Sequence, residues 1–295
     1  MREVAEREGP WHSHNVFLGE GLWTLSGRTP APDLRLRRAL QLVDDLSSRP
    51  IDELRVLDVA SEEGLFGIEL ARRGAEVLAI EGRDVNVARA RFAKDALSLE
   101  AYEVIEDDVR NLNRDEHGQF DVVLCLGILY HLDAPDVFEL VRAVRETCRG
   151  FALVDTWVSR RAETSREWRG HAYWGSSVPE HPPTSSSEER FRDLRMSLDN
   201  PDSFWLTQPS LYNLLLDVGF TSVLEARAPR AVPLPRDEVI LAAIGGEPNE
   251  IAGIEGRWAV PWPRIPEREE SGVHPSQTAL GRLRRRLRSW VLRRR

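Results

Sequence analysis

The sequence predicts an α/β fold built on a doubly wound, Rossmann-like sheet of seven mostly parallel strands. Short apolar runs rich in Val, Ile and Leu recur along residues 55–157 and alternate with segments of helical periodicity. Strands buried on both faces of a parallel sheet require such uniformly apolar runs, and alternation with helices produces that sheet. Two later apolar runs, after a further helix, predict an antiparallel pair at the sheet edge.

The elements follow from these patterns in chain order. Five strands are predicted at "VLDVA", "AEVLAIE", "YEVIEDD", "FDVVLCLG" and "FALVDTWV". Helices are predicted over residues 32–46, 65–73, 85–97 and 135–148, and in "PSLYNLLLDVGF". The runs "TSVLEARA" and "EVILAAIGG" then supply the last two strands. Ligands of such sheets bind outside the carboxyl ends of the strands, so we expect the chemistry there.

Composition divides the chain into four parts. Residues 1–30 form an N-terminal segment, 31–245 a single domain, 246–277 a linker rich in proline and glycine, and 278–295 a basic amphipathic tail. Residues 159–208, after the fifth strand, interrupt the alternation with a polar stretch that still contains several aromatic residues. A long segment of this kind inside a compact domain is more often a functional lid than a linker.

Composition also narrows the class of protein. Hydrophobic residues make up 41% and charged residues 30%, and no run reaches the roughly 20 apolar residues of a membrane span. The charged N-terminus lacks the apolar stretch of a secretory signal, so a cytoplasmic location is expected. Cys125 and Cys148 are the only cysteines, which argues against a disulfide framework or a cysteine-rich zinc site. No metal is expected.

The net charge of -8 is distributed unevenly. Residues 281–295 contain eight arginines and no acid, so the rest of the chain is strongly acidic. An acidic body repels polyphosphate backbones, which disfavours nucleic-acid binding by the main domain. The tail itself has three interpretations: a solvated tail, a helix on an anionic membrane surface, or a segment that binds a protein or nucleic acid.

The turn "DVASEEG" after the first predicted strand is the first candidate binding element. Backbone amides and a helix N-terminus face a ligand there. The pyrophosphate of a dinucleotide requires glycine at the position of Ala60 or Glu62, and the acid Glu63 adds repulsion. S-adenosylmethionine carries a cationic sulfonium and no phosphate, so these acids suit it better. The turn therefore favours this cofactor, with predicted contacts from Asp58, Ala60, Ser61, Glu62 and Gly64.

Two further positions at strand ends fit the same cofactor. Glu81 ends the second strand and is predicted to accept hydrogen bonds from both ribose hydroxyls, although an acid there is equally often a solvated surface residue. Asp108 and the backbone amide of Val109 follow the third strand. They offer the acceptor and the donor that an adenine edge needs.

The segment "LGILYHLDAP", after the fourth strand, gives a specific resemblance. It resembles the "GVLYH" segment of the tRNA wobble-uridine carboxymethyltransferase family and its small-molecule relatives, among the class I S-adenosylmethionine-dependent methyltransferases. "FWLTQPSLYNLLLDVGF" is similar to the helix before that family's last two strands, and "WHSHNVFLGEGLWTLSG" to the N-terminal segment that folds over the cofactor. The similarity covers roughly residues 11–245. It implies cofactor contacts from the turn around Ala60 and from Trp23, Glu81, Gly82, Asp108, Val109, Leu126 and Tyr130.

Methyl transfer mainly requires alignment of the nucleophile and exclusion of water. A hydroxyl acceptor also benefits from a base that titrates near neutral pH. His131 is the first candidate and His171 the second, with a helix-capping role as the alternative for His131. His12 and His14 are candidates for closing the site, or belong to an ordinary turn.

The aromatic residues of the lid are the candidate substrate contacts. They are Trp168, Tyr173, Trp174 and Trp205, and packing in the core of a small subdomain is the alternative. The leading hypothesis is therefore an enzyme that methylates oxygen, or less often nitrogen, of a small molecule such as a sugar or natural-product intermediate. The second assigns tRNA as substrate, although Arg28 is the only basic residue between Trp23 and Pro30. The third is a non-catalytic binding or scaffold protein.

Overall fold

A computed structural model describes residues 10–25, 34–226, 238–247 and 263–267 of the chain. Residues 1–265 form one compact unit and residues 266–295 a second. Most of the predicted linker and all of the predicted basic tail lie outside the described residues, and with them the proposed membrane contact of that tail.

The strands, in chain order, are β1 (Phe17–Gly19), β2 (Leu22–Trp23), β3 (Arg55–Val59), β4 (Glu76–Glu81), β5 (Tyr102–Glu106), β6 (Phe120–Leu126), β7 (Cys148–Trp157), β8 (Thr164–Trp168), β9 (His171–Pro179), β10 (Asp202–Leu206), β11 (Ser222–Glu225) and β12 (Glu238–Ile244). The α-helices are α1 (Leu34–Leu46), α2 (Leu65–Ala71), α3 (Asp84–Ala96), α4 (Arg114–His117), α5 (Asp136–Thr147), α6 (Ser187–Arg192) and α7 (Gln208–Asp217).

The central sheet has seven strands in the order β11-β12-β7-β6-β3-β4-β5. Strands β3 to β7 run parallel to their neighbours within this group, and β12 runs antiparallel to both β7 and β11. The predicted doubly wound, mostly parallel sheet with an antiparallel edge is therefore confirmed. The chain reverses its direction of progress across the sheet between β3 and β6, so a crevice opens at the carboxyl ends of these strands.

The sheet separates two apolar cores because successive side chains of each strand point to opposite faces. Val56 and Val122 lie in the core covered by α1, α2 and α3, whereas their neighbours Leu57 and Val123 lie in the core covered by α5 and α7. All four side chains are fully buried. This two-sided burial explains the uninterrupted apolar runs from which the strands were predicted.

The helices agree with the sequence expectations apart from their ends. The helix α2 ends at Ala71, two residues before the predicted end, and α5 ends at Thr147 because Cys148 begins β7. The longest of the described helices, α1 and α3, have 13 residues each. Among the described residues, no helix combines the length and the apolar character needed to cross a membrane.

The insertion over residues 159–208 has regular structure that the sequence analysis does not predict. It forms a three-stranded antiparallel sheet in the order β10-β9-β8. The short helix α6 lies between β9 and β10 in the chain. Buried aromatic side chains of this sheet pack on Phe138 of α5 and extend the main core. The backbone amide of Phe204 also donates to the carbonyl oxygen of Leu132 at 2.9 Å. The insertion is therefore a fixed part of the domain.

Candidate functional site

A cavity of about 420 Å³ lies at the carboxyl ends of β3, β4, β5 and β6. This volume is within the usual range for small-molecule sites. Its walls come from the strand ends, from His12 and Ser13 of the N-terminal segment, from Arg35 of α1 and from residues 194–200, which we call the lid loop. The cavity therefore brings together four parts of the chain.

The turn after β3 keeps a glycine-like backbone with two non-glycine residues. Ala60 and Glu62 have φ angles of 56° and 48°, and Gly64 has a φ of 84°. Such conformations cost non-glycine residues roughly 1–3 kcal/mol and persist where the surroundings hold them. Gly64 cannot be replaced without movement, since a Cβ there would lie 2.5 Å from the Tyr102 hydroxyl oxygen. The turn thus preserves its shape without the usual three glycines.

Glu63 anchors the N-terminal segment to this turn. Its carboxylate is fully buried and accepts backbone N–H bonds from His12 at 2.9 Å, Ser13 at 3.2 Å and His14 at 2.7 Å. The Arg89 guanidinium donates a further bond at 3.1 Å. Three consecutive amides on one buried carboxylate fix the path of the segment, so that His12 and Ser13 reach the cavity wall.

Glu62 is paired with the same segment. Its Oε2 lies 3.1 Å from His14 Nε2 and 3.2 Å from the Ser13 hydroxyl, which donates to it. Burial would raise the pKa of Glu62, but the hydrogen bond and charge of His14 lower it to about 2. For His14, burial would lower the pKa, whereas the neighbouring carboxylates raise it. The Glu62 charge is thus directed to His14, whereas the sequence analysis considered it only as an acid that suits a sulfonium cofactor.

Glu81 is buried at the end of β4 and lines the cavity beside Gly82. Its Oε2 accepts the Glu62 amide at 2.9 Å, and Oε1 accepts the Arg83 amide at 3.0 Å and the Asn86 side chain at 3.2 Å. Burial raises the pKa of Glu81 despite these bonds. A carboxylate has about four acceptor positions, so room remains for about one further donor. The predicted acceptance of two ribose hydroxyls does not fit this count.

Asp108 and Val109 also line the cavity, but the Asp108 carboxylate is occupied. The Arg110 guanidinium donates to both of its oxygens, from Nε at 3.0 and 2.9 Å, and also to Asp199 of the lid loop at 2.8 Å. The hydrogen bonds with these two acids raise the pKa of Arg110. The side chain of Asp108 therefore holds Arg110 and the lid loop, whereas the sequence analysis assigned it to an adenine edge.

Arg83 fastens the lid loop to the end of β4. Its guanidinium is largely buried, and burial lowers its pKa. It donates to the carbonyl oxygens of Phe191, Asp193, Met196 and Ser197 at 3.0, 2.7, 2.9 and 3.1 Å. The Leu198 side chain packs over Gly82, where an added Cβ would lie 3.2 Å from it. The lid loop therefore covers the ends of β4 and β5, the region predicted to hold the cofactor.

His131 and Glu180 form a hydrogen-bonded pair at the opposite side of the cavity. His131 lies in the turn over residues 129–131 that follows β6, and its Nδ1 is 2.8 Å from Glu180 Oε2. Burial would raise the pKa of Glu180, but the contact with His131 and the Ser197 amide lower it. An ionised carboxylate only accepts hydrogen bonds, so Nδ1 carries the proton and Nε2 is the basic nitrogen. Nε2 is bonded to none of the described residues.

The cavity contains eight of the predicted cofactor residues and His131. The eight are Ala60, Glu62, Glu81, Gly82, Asp108, Val109, Leu126 and Tyr130. Of the described residues that were predicted to bind cofactor, Trp23, Asp58, Ser61 and Gly64 do not line it. The Asp58 carboxylate instead accepts the Gly67 amide at 2.9 Å behind the turn, where burial raises its pKa to about 7. Trp23 contacts Phe17 within the β1-β2 hairpin, with ring centroids 4.8 Å apart.

The structure places His171, the second candidate base, outside the cavity. His171 is exposed at the start of β9, directly after the turn that joins β8 to β9, and it does not line the cavity. The register pairs it with Trp168 at the end of that hairpin. The sequence alone does not distinguish such an exposed histidine from one that lines a site.

The lid aromatics that were predicted to contact substrate do not line the cavity. Trp168 and Tyr173 are buried against Phe138, and they donate hydrogen bonds to Glu139 and Asp217, both at 2.7 Å. Both rings pack the insertion against α5. This arrangement is the core-packing alternative given in the sequence analysis.

Trp174 and Trp205 also lie outside the cavity lining of the described residues. Trp174 is 38% exposed. Trp205 donates from its indole to the Tyr130 carbonyl oxygen at 2.9 Å and packs on Trp157 with ring centroids 5.4 Å apart. Trp205 therefore binds the backbone of Tyr130 and does not itself line the cavity.

Sequence reasoning missed Glu180, Arg83, Arg110 and the lid loop. Glu180 is 49 residues from His131 in the chain, and Arg83 is more than 100 residues from each of the four carbonyls it binds. Neither pairing has a local pattern from which it could be found. Arg83 directly follows the predicted Glu81-Gly82 site, and that position is the one available hint.

Comparison with known proteins agrees with the fold. Residues 56–150 match the model of a family described as a methyltransferase domain. The crystal structure of the N-terminal domain of EvdMO1, determined in the presence of SAH and D-fucose, superposes with a TM-score of 0.63 at 24% identity. The alignment covers 83% of this chain and 97% of that structure. At this identity the likeness concerns the fold.

Two relatives are similar in sequence. The ubiquinone biosynthesis O-methyltransferase of Acinetobacter baumannii is 31% identical over 113 residues, which cover 36% of this chain and 47% of the relative. The glycine/sarcosine N-methyltransferase of Parasynechococcus marenigrum is 30% identical over 181 residues, covering 57% and 63%. The chain thus spans less than two thirds of the length of either relative. Residues 56–150 are thus similar to a methyltransferase domain, and the seven-stranded sheet is similar to the Rossmann-like fold of a methyltransferase structure.

Proposed function

We propose that this chain is an S-adenosylmethionine-dependent methyltransferase that methylates an oxygen atom of a small molecule, with a sugar or natural-product intermediate as the favoured acceptor class. The observation that carries the proposal is that His131, whose Nδ1 is held by Glu180, lines the same cavity as Glu81 and the turn after β3. The matched methyltransferase domain contains all of these positions except Glu180. The names of the O- and N-methyltransferase relatives support the same reaction class.

The residues of the cavity fit a cofactor that has no phosphate. The amide of Leu65 at the start of α2 donates to His14 Nδ1 at 3.3 Å, so the N-terminal segment covers the helix end that would otherwise hold a phosphate. Ala60, Glu81, Gly82 and Val109 would hold S-adenosylmethionine. When bound, this cofactor supplies a methyl group on a positively charged sulfur.

The chain's own contribution to the reaction is orientation and proton removal. Glu180 keeps the His131 proton on Nδ1, which leaves Nε2 free to take the proton of an acceptor hydroxyl as its oxygen is methylated. The lid loop, fastened by Arg83 and Arg110, covers the cavity and restricts water. An alcohol needs such a base more than a neutral amine does, and therefore the pair favours oxygen over nitrogen.

The size and charge of the cavity favour a small acceptor. A volume of about 420 Å³ would be shared by cofactor and acceptor. Three of its arginines already have partners: Arg35 donates to Asp155 at 2.6 Å, Arg83 donates to backbone carbonyl oxygens, and Arg110 bridges two acids. Groups committed in this way contribute little to binding an RNA backbone. The tRNA alternative would depend on the terminal arginines, which lie outside the described residues.

Calorimetry followed by a transfer assay tests the proposal. Titration with S-adenosylmethionine is expected to show saturable binding, and incubation with sugars and phenolic or aliphatic alcohols is expected to release S-adenosylhomocysteine with one of them. No binding at millimolar cofactor would overturn the enzyme reading in favour of a scaffold. Turnover with amines alone would replace the oxygen acceptor by nitrogen. RNA binding that disappears on deletion of residues 281–295 would favour the tRNA reading.

A further inference from the structure

We infer that Glu180 is a positioning residue that couples closure of the lid loop to the orientation of the base His131. The inference rests on the proposed function, because it concerns how the base of that reaction is made ready. Glu180 directly follows β9 and is buried, and neither its role nor its partners follow from the sequence.

A single carboxylate oxygen of Glu180 joins the two parts. Its Oε2 accepts the His131 Nδ1 proton at 2.8 Å and the backbone amide of Ser197 at 2.7 Å. The carbonyl oxygen of Ser197 in turn accepts the Arg83 guanidinium at 3.1 Å. A continuous path of hydrogen bonds therefore runs from the end of β4, beside Glu81, through the lid loop to the imidazole.

A second, independent link joins the lid loop to the backbone of the base. The side-chain amide of Asn200 donates to the His131 carbonyl oxygen at 3.0 Å. The amide of Glu180 also donates to the carbonyl oxygen of Pro201 at 2.9 Å. The base and its carboxylate are thus held from both sides by residues 197–201, and movement of this stretch removes both restraints together.

The burial of Glu180 makes its contact with His131 depend on the position of the lid loop. Glu180 is 6% exposed and Ser197 is 2% exposed, so the charged carboxylate has little access to water while the loop is closed. A buried charge is stable only when donors satisfy it. If the lid loop leaves, the carboxylate loses the Ser197 amide and gains water, and it then holds the imidazole less strictly. The basic Nε2 is consequently oriented toward the cavity only when the loop covers the cofactor region.

Two substitutions of Glu180 separate orientation from general stability. In Glu180→Gln, the Ser197 amide requires an acceptor, which keeps the side-chain oxygen at the Oε2 position and preserves the His131 Nδ1–H form. Glu180→Ala removes the acceptor and frees both imidazole tautomers. Arg83→Met leaves Glu180 intact but removes the donor that fastens Ser197 and its neighbours.

Long-range ¹H-¹⁵N spectroscopy of the full chain, without cofactor, reads the tautomer of His131 at a pH where it is neutral. The wild type and Glu180→Gln are expected to show the Nδ1–H form. Glu180→Ala and Arg83→Met are expected to show a mixture. An unchanged Nδ1–H form in Glu180→Ala overturns the positioning role, and an unchanged form in Arg83→Met overturns the coupling to the lid loop. Melting temperatures identify variants that fail to fold, and the Gln variant keeps the comparison readable.

Kinetics provide the second measurement. Glu180→Ala is expected to lower kcat by roughly 10- to 100-fold with little change in cofactor affinity. Glu180→Gln is expected to recover much of that loss, because the Ser197 amide keeps an oxygen acceptor facing His131 Nδ1. Equal kcat in the Ala variant and the wild type contradicts the inference. The spectra decide the positioning role even if no methyl transfer is found, so failure of the proposed function is distinguished from failure of this inference.

Discussion

The two walls of the cavity differ in how their charged groups are used. On the wall formed by β3, β4 and β5, the carboxylates of Glu62, Glu81 and Asp108 are already bonded to the protein's own donors. On the opposite wall, His131 has one nitrogen held by Glu180 and the other left open. The first wall is fixed in shape before a ligand arrives, as binding requires, whereas the second keeps one reactive atom available. We therefore expect substitutions on the two walls to affect different steps.

The largest expected effect is on the reactive wall. His131→Ala removes a basic nitrogen that none of the described residues binds, so kcat is expected to fall by roughly 10²–10⁴-fold. Cofactor affinity should stay unchanged, because the contacts at the end of β4 are intact. Steady-state kinetics and calorimetry measure the two quantities. The matched control is His171→Ala, which removes an exposed histidine outside the cavity. Loss of activity in the control, with His131→Ala active, would reverse the assignment.

The binding wall gives the next effect. Glu81→Ala removes a buried acceptor and leaves the Glu62 and Arg83 amides and the Asn86 side chain without their partner. A hydrogen bond to a charged group contributes about 1.5–3 kcal/mol, so cofactor affinity is expected to fall by roughly 10- to 150-fold. Calorimetry measures this change.

A control for Glu81 lies on the same strand. Glu76, at the start of β4, is exposed and pairs with Arg55, far along the strand from the cavity end. Glu76→Ala should leave cofactor affinity as in the wild type. If Glu81→Ala bound cofactor equally well, the binding wall would have to be sought elsewhere.

Substitution of a lid aromatic tests whether these side chains contact substrate or only stabilise the fold. Tyr173 is fully buried and donates to Asp217 at 2.7 Å, so Tyr173→Phe is expected to lower the free energy of unfolding by about 1 kcal/mol. The acceptor KM should not change, since the ring does not reach the cavity. Denaturant unfolding and kinetics measure the two. An increased KM with unchanged stability would restore the substrate contact that the sequence suggested.

The same two walls show what the sequence could reveal. The binding wall is made by consecutive βαβ units, so apolar runs and strand ends alone locate Ala60, Glu81 and Asp108. Local order sufficed because each of these residues lies at the end of its own strand or within two residues of it. Their hydrogen-bond partners were not predicted, because whether an acid at a strand end is open or occupied depends on the path of the N-terminal segment and the lid loop.

The reactive wall was predicted only in part. His131 follows β6, and the segment around it was sufficient to predict it. Glu180 belongs to an insertion whose strands mix polar and aromatic residues with no clear period, so it was not predicted. Trp168 and Tyr173 were misassigned for the same reason. Aromatic residues in a polar stretch resemble a binding surface until the helix against which they pack, α5, is known.

The smallest expected effect concerns the ion pair that joins the binding wall to the N-terminal segment. The pKa of Glu62 is lowered to about 2 in the folded chain, so its contribution to stability is present above about pH 4.5 and is lost as the pH falls toward 2. The pKa of His14 is raised, so its contribution is present below about pH 6.5 and is lost as the pH rises through the raised value. The pair therefore stabilises the fold most between about pH 4.5 and 6.5.

Glu62→Gln should accordingly lower the melting temperature most within that window, and the difference from the wild type should shrink on both sides of it. Melting curves between about pH 3 and 8 measure the difference directly, and other titrating groups cancel because both proteins contain them. Glu103→Gln, on the exposed face of β5, is the matched control and should give a curve parallel to that of the wild type. A constant offset between Glu62→Gln and the wild type at every pH would mean that the turn is held by Glu63 and Arg89 alone.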